Sequence, residues 1–180
     1  MFNLFKKKEK PSPPTAIRDT LFGDMPISEW PRNDTAEAEP WVSFIKARNF
    51  LDKKDTPSAV SILQMITEMP DLESRHYLQS WHFLRQLGVN PPQDRAKIVY
   101  GVVVEVGMKS GADIVAAYTD YTARYLHHMG TGVIWERPDH SLDAEIEALL
   151  KAGQDVVYKI GPWDQARPPA PREDHVRLNM

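Results

Sequence analysis

Six histidines and a scatter of carboxylates hold most of the chemical range of this 180-residue chain, which has no cysteine. Without a thiol there is no thiolate zinc site, cysteine nucleophile or disulfide framework. His76 and His82 are six residues apart, a spacing that does not share one face of a helix. His127 and His128 are adjacent in a stretch that reads as a strand. Successive strand side chains point to opposite faces, so the pair is not expected to share a metal. His140 and His175 stand alone, and no His-Glu-x-x-His spacing occurs. A metal would have to be gathered from distant residues such as Asp113, His127 and Glu136, and none is predicted.

Two carboxylate pairs, Asp113 with Asp120 and Glu105 with Glu136, could in principle share acid–base work. They read as solvent-exposed sheet residues. Gly130-Thr131-Gly132 is too short for a phosphate loop and leads into a strand rather than a helix N-terminus. Lys109-Ser110-Gly111 has no neighbouring base in sequence. The sequence therefore assigns no catalytic, cofactor-binding or metal residue and implies no cofactor. What it offers is a polar-aromatic run. Tyr118, Tyr121, Arg124 and Tyr125, with His127 and Trp135, are the residue types that interfaces favour, and they are the candidate partner-binding set.

These residues lie in the stretch on which the rest depends, Ile98 to Glu136. It predicts an antiparallel meander of four strands at 98–108, 113–119, 122–129 and 133–136, joined by connections too short for parallel crossovers. Alternation gives the first strand an oily face of Ile98, Tyr100, Val102, Val104, Val106 and Met108. Its other face holds Val99, Gly101, Val103, Glu105 and Gly107, so the strand is expected to be covered on one side.

Before the meander, residues 1–34 read as an extended or disordered arm, polyproline-like at 9–15 and anchored by Phe22, Ile27 and Trp30. Residues 35–93 read as a helical segment. Its first helix runs to Asp52 from Thr35 as N-cap, or from nearer Glu39 because Pro40 fits only a first turn. A second starts at Thr56-Pro57 and a third spans 72–87, with Gly88 as its cap. Residues 94–180 hold the meander, a long helix over 141–160 that roofs the oily face, and a last strand at 176–180 suited to the sheet edge. A competing reading makes 155–160 a strand; the unbroken apolar stripe from Leu142 to Ile160 favours the helix. Gly153 falls on the stripe, where it would let the helix approach the sheet. The fold class is α+β, with 35–93 and 94–180 in one compact domain.

Composition narrows the function. Hydrophobic residues make up 42% and charged residues 26%, and the formal net charge is −3. That balance gives no electrostatic case for nucleic acid. No run reaches the ~20 apolar residues of a membrane span. Phe2, Leu4 and Phe5 beside Lys6, Lys7 and Lys8 could make a weak membrane-surface contact. The expectation is a small, non-catalytic, cytoplasmic protein that binds another protein as an adaptor, regulatory subunit or immunity-type inhibitor. The alternatives are an enzyme with a site built on the sheet from Asp113, Arg124, His127 and Glu136, and a membrane-peripheral scaffold using residues 2–8.

Overall fold

The computed structural model of the chain describes residues 13–33, 35–163, 165 and 167–180, with side chains from Arg18 onward. The fold is α+β. Five helices, α1 (Pro13–Phe22), α2 (Trp41–Asp52), α3 (Thr56–Glu68), α4 (Ser74–Gln86) and α5 (Asp143–Val157), accompany five strands. The strands are β1 (Gly101–Gly107), β2 (Ala112–Tyr118), β3 (Ala123–Leu126), β4 (Gly132–Trp135) and β5 (Val176–Asn179). The sheet order is β4-β3-β2-β1-β5, and every pairing is antiparallel. The expected meander and terminal edge strand are both present, as is the long helix that follows the meander.

α3 starts at Thr56 as expected and α2 close to the later of its two expected starts, but neither is capped by the expected threonine. α2 begins at Trp41, after Pro40, and Thr35 instead donates to the Asn33 side chain. α3 is capped by Asp55, which accepts the Ser58 N–H, rather than by Thr56. At α4 the cap is long-range. Asp120, in the β2–β3 turn, accepts the Ser74 N–H at 2.7 Å, and the Ser74 and Thr119 hydroxyls lie 2.8 Å apart. An N-terminal N–H has no intrahelical acceptor and takes whichever one the fold brings.

The expected extended arm is helical from Pro13 to Phe22, and α1 packs on the sheet. This overturns the one-sided strand. Leu21 joins Val103, Ile114, Ala116 and Tyr118 in a core on the sheet's second face, backed by Leu78 of α4. Glu105 is not a surface residue; it is 0% exposed and paired with Arg18 of α1 at 2.5 Å. Arg177 and Asn179 of β5 close on the same carboxylate at 3.5 and 3.3 Å. A carboxylate buried to this degree persists because three polar side chains converge on it.

A separate core fills the helical side. Met25, Trp30, Phe44, Leu63, Ile66, Trp81, Phe83 and Leu84 are buried together there, with Tyr100 packed against them. Tyr100 therefore does not continue the oily face of β1, and Ile98 is exposed. The strand's alternation begins only at Gly101.

Candidate functional site

Strand register assigns the two faces of the sheet. Residues paired across antiparallel strands share a face. One such row, Val102–Ala117–Ala123–Trp135, is covered by α5. Ile146 of α5 is buried against Ala117 and Ala123, with Leu142, Leu149 and Leu150 around them. At the other end of the contact Gly153 is buried, and a Cβ there would meet Val102 Cγ2 at 2.8 Å. The helix thus crosses the strands along this inner row, and Gly153 does what its place in the stripe predicts.

The next row on the same face is Leu178–Val104–Val115–Tyr125–Val133, one residue from each strand. No helix covers it. Leu178 is 54% exposed, Val115 39% and Val133 49%, and the neighbouring Val176 is 58% exposed. Four interstrand gaps make this apolar row about 19 Å wide. Isolated exposed apolar residues are ordinary, but a contiguous row of them is not.

Asp113, His127 and His128 stand at the border of this bare region. Asp113 opens β2 beside Val106, and the two histidines follow β3 in the turn to β4. The sequence argument that separated the histidines fails here because the strand stops at Leu126. His127 N–H donates to Thr131 O, Gly130 N–H donates to His127 O, and Gly130 takes φ +93°, closing a tight turn. In that turn the adjacent rings fall on the same side, with centroids 4.0 Å apart. Asp113 Oδ1 accepts from the His128 N–H and from its ring Nδ1, each at 2.8 Å, and Oδ2 accepts from the Tyr125 hydroxyl at 2.9 Å. Burial pushes the Asp113 carboxyl up, but these hydrogen bonds outweigh it and hold it down at about 2. One donor atom from each of Asp113, His127 and His128 lies within 4.8 Å of the others, and among the described residues these three form the cluster placed to hold a cation.

The other predicted residues scatter. Tyr118 is 0% exposed, and its hydroxyl donates to Leu21 O at 2.6 Å; it is a core residue and no partner can reach it. Arg124 is on the α4 side of the sheet, 3.8 Å from Glu73. That is the face opposite Tyr125 and His127, so Asp113, Arg124, His127 and Glu136 do not meet in one site. Tyr121 donates to Glu147 of α5, with the Arg137 guanidinium 4.7 Å above its ring. Trp135 packs under α5. Of the set, Tyr125 lies in the bare row and His127 borders it. Phe2 to Lys8 lie outside the described residues.

Three further features escaped sequence reasoning. His76 is buried among Trp30, Trp41 and Phe44, neither ring nitrogen has a hydrogen-bond partner among the described residues, and burial pushes its pKa down to about 4. Burial pushes the Asp24 carboxyl up to about 6 despite its ion pair with Arg167. The bare row itself could be found only with strand register in hand. Two shallow open depressions, of about 290 and 380 Å³, lie on the helical side away from the row and the Asp113 corner. Among the described residues, no helix is long and apolar enough to cross a membrane. Comparison of the chain with family models, with curated proteins and with solved structures gave no match.

Proposed function

We propose that this chain is a protein-binding module of the adaptor, regulatory-subunit or inhibitor kind, and that its partner lays an amphipathic helix on the bare row beside α5. The observation that carries this reading is the uncovered row Leu178–Val104–Val115–Tyr125–Val133 next to a covered one. An amphipathic sheet face is stable when a second layer covers it. α5 supplies one helix's width of cover. Rows two residues apart along a strand are separated by about 6.8 Å, while packed helices sit about 8–10 Å apart. One further helix beside α5 would therefore span the outer row and touch both sheet and helix. The row is apolar from edge to edge, which suits the apolar stripe of such a helix. A cytoplasmic setting agrees with the cysteine-free composition.

Site-specific photocrosslinking in native cells tests this. A crosslinker at Val115 or Val133 should give one shared adduct whose crosslinked peptide is an amphipathic helical segment of another protein. A crosslinker at Ile134, 59% exposed on the opposite face, should not. Charging the row with Val115→Glu and Val133→Glu should abolish the adduct while leaving the melting temperature within about 2 °C, since both sites already face solvent. Adducts only with a second copy of this chain, equal labelling from Ile134, or no adduct from the row would each overturn the reading.

A further inference from the structure

The geometry points to a divalent transition-metal site at Asp113, His127 and His128, of the kind that takes Zn²⁺ through three side chains and leaves a fourth position open. Three observations carry it. The first is convergence: one donor atom from each residue lies within 4.8 Å of the others, although Asp113 comes from β2 and the histidines from the β3–β4 turn. The second is orientation. His128 Nδ1 faces Asp113 Oδ1 at 2.8 Å, so the two stand side by side as neighbouring ligands do, and a metal ion taking the place of the shared proton leaves the ring neutral with its proton on Nε2. The Tyr125 hydroxyl fixes the carboxylate from its other oxygen. The third is access. All three residues are half-buried, so the corner is neither sealed in the core nor fully hydrated.

Donor chemistry selects the cation. Two imidazoles and one carboxylate suit zinc, and also copper or nickel. Ca²⁺ and Mg²⁺ require shells of oxygen ligands that this corner does not supply. Metal–ligand bonds of about 2.0–2.1 Å in a tetrahedron place ligand atoms about 3.4 Å apart. No separation exceeds 4.8 Å, so the corner must contract by at most about 1.4 Å. Rotation of the two histidine rings in the Gly130-containing turn provides this without moving a strand. Metal binding would give up the His128 Nδ1–Asp113 Oδ1 hydrogen bond and a weak contact, the Met129 N–H to His127 Nδ1 at 3.3 Å.

The ordinary alternative is that Asp113 only braces the β3–β4 turn, and the test separates the two. Untagged protein freed of metal with a chelator is titrated with Zn²⁺ by calorimetry and with Co²⁺ by visible absorption. One equivalent should bind, with cobalt bands of low, non-octahedral symmetry, and excess Mg²⁺ or Ca²⁺ should not displace it. His127→Ala and His128→Ala should each weaken binding at least about tenfold. The double variant should lose the stoichiometric site, with metal-free circular dichroism unchanged. His140→Ala and His175→Ala, remote single histidines, should bind as the parent does. Asp113→Asn keeps the brace's shape and should still weaken binding, whereas a brace alone predicts no effect on metal. Absence of stoichiometric binding by the folded parent, octahedral cobalt bands, or binding that survives loss of both histidines would overturn the site.

Discussion

Gly153→Ala probes the contact that fixes α5 on the sheet. A Cβ at this position would sit 2.8 Å from Val102 Cγ2, and 3.8 Å from Val99 Cγ1 and Met180 Sδ. Carbon atoms in contact prefer about 3.5–4.0 Å, so the new methyl intrudes by close to 1 Å on Val102 alone. Val102 is fully buried, and its β-branched side chain has few rotamers to retreat into. Two terms compete. Replacing glycine by alanine inside a helix gains about 1 kcal/mol, while overpacking a dense core costs about 1–3 kcal/mol. The net change should lie between zero and about 2 kcal/mol destabilising. Val102→Ala isolates the steric term, since it removes both γ-methyls and opens space for the new one. Alone it should cost about 2 kcal/mol, from lost burial and a small cavity. In the double variant the clash disappears and the helix gain remains, so the pair should be more stable than the sum of the singles by about 1–3 kcal/mol. Urea unfolding midpoints at constant m-value give all four corners of the cycle. Additivity within about 0.5 kcal/mol, or a full 1 kcal/mol stabilisation by Gly153→Ala alone, would refute a close helix–sheet contact at this glycine.

Acid sensitivity should trace to His76. Burial holds its folded pKa at about 4 against an ordinary 6.5, with Glu73 and Asp120 raising it and Arg75 lowering it. The unfolded chain therefore takes up a proton before the native one, and stability falls as the pH drops from about 6.5 to 4, by about 3 kcal/mol in full. His76→Phe should flatten that window in urea midpoints taken at pH 7 and pH 4.5; an unchanged acid slope would assign the loss to other groups. Glu105→Gln should cost about 3 kcal/mol, because it leaves the Arg18 and Arg177 guanidiniums facing a neutral amide in a buried site. Hydrogen exchange should then accelerate in α1 and β5 together, and a loss under 1 kcal/mol confined to β5 would show that Arg18 is not anchored by this carboxylate.

Local signals in the sequence determined the elements. The valine-rich run, the short Gly-containing connections and the unbroken stripe from Leu142 past Gly153 each act over a few residues. The structure has β1 to β4, α5 and the edge strand near where those signals put them. The bare row was out of reach for a different reason. It depends on which residues of five strands stand opposite each other and on how far one helix extends over them. Tertiary structure alone also decided that Pro13–Phe22 is a helix whose Arg18 meets Glu105, 87 residues away. It moved Tyr118 from a candidate surface into the core. It brought His127 and His128 to one side by ending β3 at Leu126, because strand alternation governs side chains only while the chain stays extended. Periodicity records what a residue does relative to its near neighbours. Burial, charge pairing and the meeting of Asp113 with two histidines depend on neighbours that only chain folding supplies.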